Sequence, residues 1–229
     1  MSYPPLIGLT GPARSGKNTV ADHLCARYGY TRMAFSDALY EEVSDAFRVP
    51  QTFLRGDDTK DVKSYSLSMA HCRDPAFVNV AIAEIGKIYM APPCPGVLLL
   101  PWREELSPRQ VLQWWGTEYR RAQDPDYWVK KLAGRYAQHL SAPAYYLPLP
   151  GLESRVVVDG VRYPNEVTWL RACPGSELWH LKRDVQAVST HSSETPVKWE
   201  RLDSVIRNDG TIAELEQRVD KMLTHREKR

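Results

Sequence analysis

The stretch Gly11-Pro12-Ala13-Arg14-Ser15-Gly16-Lys17 has the spacing GxxxxGK, and Asn18 and Thr19 follow it directly. This is the pattern of a loop built to hold phosphate. Glycines let the backbone wrap closely around an anion, so that N–H groups along Gly11, Ala13, Arg14, Ser15 and Gly16 can turn inward. Lys17 reaches the outer phosphates as a point charge. The residue after the lysine usually offers a hydroxyl to magnesium. Here it is Asn18, whose amide oxygen could bind the ion directly or through water. Thr19 could take over that duty, although a one-residue shift turns it about 100° around a helix. The bland alternative is a glycine-rich turn with no ligand.

A second chemical set stands at Arg155-Val156-Val157-Val158-Asp159. An acid at the end of a buried strand could position magnesium, directly or through water, or it could cap the next turn. Arg162 and Glu166 follow. Arg162 could reach a phosphate, pair with an acid, or simply face solvent.

These groups need elements to place them. Residues 6–9 form an apolar run that enters the glycine loop, and residues 19–27 carry helical spacing. The opening is therefore strand, loop, helix, the setting in which the motif is credible. The helix N-terminus adds partial positive charge for an anion. Residues 30–35 read as a second strand and 37–47 as an amphipathic helix. In the middle, Asp74-Pro75, Ser107-Pro108 and Asp124-Pro125 each pair a good N-cap with a proline suited to the first helical turn. They predict helices over about 75–90, 109–122 and 126–140. Residues 91–101 carry four prolines and read as a loop. Strands are predicted at 155–159, 177–182 and 204–207, and helices at 164–172 and from 209–211 to about 225.

Alternation of strands and helices predicts an α/β fold with a parallel sheet of about five strands and helices on both faces. The expected organisation is a single P-loop domain. Residues 1–48 and 151–229 form its core, and 49–150 form a mainly helical insertion between strands 2 and 3. That insertion should bind an acceptor above the carboxyl ends of the strands, where open α/β sheets bind ligands. Residues 183–198, polar and aperiodic, are the candidate lid.

Bulk composition sets limits. The chain has 229 residues, 43% hydrophobic and 25% charged, with a formal net charge of +2. That balance is too mild to argue for a nucleic-acid partner. The four cysteines lie far apart with no CxxC pair, so reduced thiols are expected, with neither zinc nor a disulfide framework. No apolar run approaches the roughly 18 residues of a membrane helix, and the first residues lack signal-peptide character. A cytoplasmic protein is expected.

Taken together, the motifs resemble those of the phage-type deoxynucleoside monophosphate kinases, over nearly the whole chain. The resemblance rests on 11–19, Phe35-Ser36-Asp37-Ala38-Leu39 and Leu112-Gln113-Trp114-Trp115-Gly116-Thr117-Glu118. It continues through Asp126-Tyr127-Trp128-Val129, Val161-Arg162-Tyr163-Pro164-Asn165-Glu166, His191-Ser192-Ser193-Glu194 and Asn208-Asp209-Gly210-Thr211. It implies the P-loop NMP-kinase fold and phosphoryl transfer from ATP, with magnesium, to a deoxynucleoside monophosphate. It implies a substrate role for Asp37, an acceptor pocket lined by Arg109, Gln113, Gly116 and Thr117, and Trp128 stacking on the base or supporting that pocket. Asn208 and Gly210 would lie near the adenine. A phage-encoded member would work in the host cytoplasm. The chain departs from the family pattern at Asn18, where an acid is usual, and at Gly160, where an acid two residues before the arginine is usual and Asp159 stands one place earlier.

The residues also have structural alternatives. Trp114 and Trp115 suit a core, Gly116-Thr117 a close helix crossing, Asp37 an N-cap and His191 a cap or surface position. If the transfer reading holds, catalysis is positioning plus cationic stabilisation. Lys17 and Asp159 would then serve the donor side. Arg109, Arg120, Arg121, Arg162 and Glu166 would serve the acceptor, and Arg183 could reach ATP from the lid. Rival readings are another small-molecule P-loop kinase, such as a dephospho-coenzyme A kinase or sugar kinase, and a nucleotide-binding scaffold. A homodimer is left open.

Overall fold

The computed structural model describes residues 3–90, 100–141, 154–183 and 197–224. Two compact units emerge, one of residues 1–35 and 129–229, the other of 36–128.

The first unit holds a five-stranded sheet: β1 (Leu6–Thr10), β2 (Thr31–Ala34), β3 (Val156–Asp159), β4 (Glu177–Lys182) and β5 (Ser204–Arg207). The spatial order is β2-β3-β1-β4-β5 and every pairing is parallel. Every residue of central β1 is buried, which requires cover on both faces. On one face Ile7, Leu9, Val157 and Trp179 pack with Val20 and Leu24 of α1 (Lys17–Tyr28) and Leu215 and Val219 of α8 (Ile212–Thr224). On the other, α7 (Pro164–Ala172) lies so close that a Cβ on Gly8 would sit 2.5 Å from Leu170 Cδ2. Gly8 is thus a packing requirement at a helix–sheet crossing. The five predicted strands are present within a residue or two of their expected bounds, as is the α/β layering.

The second unit is helical: α2 (Asp37–Phe47), α3 (Gln51–Arg55), α4 (Pro75–Met90), α5 (Pro108–Gln113) and a π-helical segment (Trp114–Arg121). The predicted helix starts work as expected from their caps. Asp74 Oδ1 accepts from Ala76 N and Phe77 N, each at 3.0 Å. Ser107 and Gln110 bond each other reciprocally as a capping box. The predicted helix over 109–122 differs: its second half is π-helical. The wider turn coincides with tertiary demands on the same residues. A Cβ added at Gly116 would lie 3.5 Å from Leu39 Cδ2, and the Gly116 carbonyl accepts from Trp128 Nε1 at 3.1 Å. Helix α6 (Tyr127–Leu140) begins in this unit and continues into the first.

No described helix is long and apolar enough to cross a membrane. The described cysteines, Cys25, Cys72 and Cys173, are free thiols. Burial pushes each of them up, Cys72 to about 11. Cys94, the proline-rich stretch 91–99, the motif at 191–194 and nearly all of the candidate lid lie outside the described residues.

Candidate functional site

The loop between β1 and α1 takes a shape that its glycines make available. Gly11 has φ 146° and Gly16 φ 99°, and Arg14 also adopts a left-handed conformation at φ 61°. A side chain at Gly11 would overlap the Leu181 carbonyl oxygen, and one at Gly16 would press on the Asn208 amide at 2.5 Å. Neither position tolerates a Cβ. Asn208 is buried, and its Nδ2 donates to Ser15 O at 2.9 Å, bracing the loop from the end of β5.

The loop leads into an open helix end. Helix α1 has no side-chain cap and no acid in its first turn, so its terminal N–H groups and dipole favour an anion. Ser15 Oγ is fully buried and has no hydrogen-bond partner among the described residues. Such an orphan is costly unless a ligand or water completes it. Lys17 Nζ donates to Gly11 O at 2.9 Å and Pro12 O at 2.8 Å, so the loop's own carbonyls hold its ammonium over the loop.

These residues face a cavity of about 440 Å³. Arg14, Ser15, Gly16, Lys17, Asn18 and Thr19 line one side; Arg183, Asn208 and Gly210 line another. Nine predicted nucleotide-contacting residues therefore converge, while Gly11 and Ala13 shape the loop without lining the cavity. Arg183 Nη1 reaches Arg14 O at 3.3 Å. Ile212 and Leu215 also line the space and escaped sequence reading. Their helical spacing marked them only as α8 residues. Ile212 is 65% exposed, so its side chain presents apolar surface at the cavity.

The strand-end acid is engaged as well. Asp159 is ion-paired with Arg32 of β2, whose same nitrogen, Nη2, donates to Asn18 Oδ1 at 2.9 Å. Arg32 Nη1 donates to Asp22 Oδ1 at 2.8 Å. Burial works against the Arg32 charge, but the bond and charge of Asp159, with Asp22, outweigh it and raise its pKa. Arg32 is the main site residue that sequence reading missed. Asn18 and Asp159, expected to share an ion, share this guanidinium.

The candidate acceptor residues fall into separate groups. In the helical unit, Glu42 gathers Trp115 Nε1 (2.9 Å), Arg120 Nε (2.8 Å) and Tyr127 OH (2.5 Å). Burial disfavours its charge, yet the bonds from Tyr127, Trp115 and Arg120 hold its carboxyl below the usual range. Arg120 also lies 4.4 Å above the Tyr119 ring, and Arg121 is half-buried beside it. Trp114, Trp115 and Trp128 are buried core residues. Asp37 is the first residue of α2, one place after the N-cap position at Ser36, and it pairs with Arg55 at 3.0 Å. Arg109 is exposed and bonds Asp61, Gln113 is half-buried and Thr117 is exposed. In the sheet unit, buried Glu166 accepts from Arg162 N at 2.8 Å and Tyr163 N at 3.1 Å, bracing the start of α7. Arg162 itself is exposed.

The sequence profile of the deoxynucleotide monophosphate kinases matches residues 97–219, just over half of the chain. The chain belongs to the deoxynucleotide monophosphate kinase family. A deoxynucleotide monophosphate kinase from Escherichia phage RB69 is 27% identical over 118 residues, 51% of this chain and 45% of that protein. The match thus spans under half of the curated relative's length. The family profile covers Asp159, Arg162, Arg183 and Asn208 but not the glycine loop, so the loop stands on its own geometry.

Similar solved structures include a sugar kinase from Janibacter sp. HTCC2649, at 14% identity and TM-score 0.38 over 96% of this chain and 94% of that one. TT1252 from Thermus thermophilus gives 18% and 0.44 over 98% of each. A gluconokinase from Sinorhizobium meliloti 1021 gives 12% and 0.41 over 98% and 97%.

Proposed function

We propose that the protein is a deoxynucleoside monophosphate kinase, transferring the ATP γ-phosphoryl group to a deoxynucleoside monophosphate to give the diphosphate and ADP. The observation that carries this reading is the uncapped α1 N-terminus beside the orphaned Ser15 hydroxyl, both at a 440 Å³ cavity. Phosphate would supply the acceptors those donors lack. Membership in the deoxynucleotide monophosphate kinase family supports the choice of acceptor.

In this reading Lys17 leaves the Gly11 and Pro12 carbonyls for the outer phosphates of ATP. Asn18, Thr19 and Asp159 would hold magnesium, directly or through water, which would supply charge neutralisation at the moving group. Ile212 and Leu215 offer apolar surface to the adenine, with Asn208 and Gly210 beside it. The acceptor is itself a phosphate, ionised near neutral pH, so no strong general base is needed. The work is to hold two polyanions in line. Arg109, Arg121 and Arg162 are the candidates for that, because a planar guanidinium matches phosphate oxygens, whereas Arg120 is engaged by Glu42. Segment 183–198 remains the proposed lid that keeps water from the transferred group. A cytoplasmic location belongs to the same reading.

Coupled ADP release from magnesium and ATP, run with each of the four deoxynucleoside monophosphates, tests it. Turnover with at least one acceptor and little without any is the expected result. Silence with all four, alongside turnover on a sugar or on dephospho-coenzyme A, would reassign the acceptor.

A further inference from the structure

Among the described residues no group of three or more His, Cys, Asp or Glu side chains is placed to hold a metal ion. Yet Asn18 Oδ1 and Asp159 Oδ2 meet at a single atom, Arg32 Nη2. Magnesium commonly takes one or two protein oxygens and completes its shell with phosphate oxygens and water. This convergent pair therefore fits a divalent ion carried by a nucleotide, and a protein cation already sits on it.

We propose that Arg32 is a placeholder cation: its guanidinium holds Asn18 and Asp159 together before nucleotide arrives, and yields both oxygens to the divalent ion that comes with the phosphates. The proposal rests on the nucleotide reading above and adds to it a residue that competes with the metal.

Position, charge and exposure support it. Arg32 lies on β2 beside β3, with Ala34 in register with Asp159, so its side chain starts from a fixed point next to the acid. Only a planar fork reaches Asp22, Asn18 and Asp159 at once; a lysine ammonium lacks that geometry. Without the guanidinium, two carboxylates would stand uncompensated near Asn18, which lines the cavity, and their repulsion would oppose a polyanion there. With a divalent ion on the same oxygens, a cationic nitrogen bonded to them would be repelled, so the two occupants exclude each other. Exchange is also feasible. The Arg32 side chain is 33% exposed and that of Asp22 is 69% exposed, so the fork can pivot toward water and Asp22; the pair it gives up is with Asp159, only 16% exposed, and the incoming divalent ion replaces that charge.

The test reads binding instead of turnover. ADP affinity is measured by calorimetry across a series of free magnesium concentrations, and manganese binding with ADP present is followed by electron paramagnetic resonance. Wild type, Arg32→Gln and Arg32→Lys are compared as full-length proteins. In Arg32→Gln the metal concentration for half-maximal tightening of ADP should fall by about three- to tenfold, and metal-free ADP should bind more weakly than in wild type. Arg32→Lys keeps the charge without the fork and should shift the midpoint less, in the same direction; it also serves if the glutamine variant folds poorly. A midpoint that stays put or rises in both variants, with ADP still bound, would overturn the placeholder and leave Arg32 a brace. Failure of wild type to bind ADP at any metal concentration would instead remove the nucleotide reading, and the placeholder with it.

Discussion

The glycine loop and the arginine cluster of the helical unit solve opposite problems. The loop is built from backbone, and its helix end is left without a side-chain cap, with a buried hydroxyl lacking a partner beside it. The cluster is built from side chains that satisfy one another, three donors from Trp115, Arg120 and Tyr127 closing on Glu42. One region stores unmet hydrogen-bonding capacity, and the other uses it for stability. Mutations in the first should therefore be read in ligand binding and turnover, and mutations in the second in folding. A basic residue in a helix is not by itself an open ligand contact.

The largest test of this contrast is Lys17→Ala. Turnover should fall by about 10³-fold or more, with thermal stability nearly unchanged; retained activity would remove the loop from the chemistry. Arg162→Ala comes next, with kcat expected to drop about 10²-fold and ATP affinity to change little. An unchanged rate would assign Arg162 to structure.

On the stability side, Glu42→Ala should cost about 2–3 kcal/mol in denaturant unfolding, because it strands a half-buried guanidinium and two polar donors. The pH dependence has a definite sign. The folded carboxyl titrates below its usual 4.5, so its stabilising contribution is complete above that value and is lost as pH falls through the lower, folded one. The stability gap between wild type and Glu42→Gln should accordingly narrow on acidification from about pH 6 to about pH 3. A gap that widened would place the net stabilisation elsewhere.

The smallest expected effect sharpens the comparison most. Ser15→Ala removes an orphaned hydroxyl, so stability should stay within about 0.5 kcal/mol or rise, while ADP affinity falls measurably. A clear loss of stability would mean that the hydroxyl already has a partner.

Much of this was legible in the sequence because the signals are local. Asp74-Pro75 and Ser107-Pro108 predict helix starts through groups a few residues apart, and the valine run at 156–158 announces a strand buried on both faces. Arg32 was not legible. Its partners lie 10, 14 and 127 residues away, and nothing in Thr31-Arg32-Met33-Ala34 marks a guanidinium that reaches a neighbouring strand and a helix. The π-helical turn was hidden for a related reason. The spacing of 109–122 suits an α-helix, and the departure lies where Glu42, Leu39 and Trp128 meet that stretch. The candidate site residues divided along the same line: those around the loop follow from motif and topology, whereas the state of Arg120 or Trp128 depends on tertiary partners.

The strand order also has a consequence for synthesis. Among the described residues β1 pairs only with β3 and β4, and β2 only with β3, yet β3 begins at Val156. A nascent chain arrested before that strand holds no partner for either β1 or β2. The intervening helical unit, by contrast, is contiguous in sequence and draws on nearer contacts, which form sooner. The glycine loop precedes that unit in the chain, yet it gains the walls of its cavity only when residues past 180 have left the ribosome. A truncated product would carry the phosphate motif intact and still have no site to put it in.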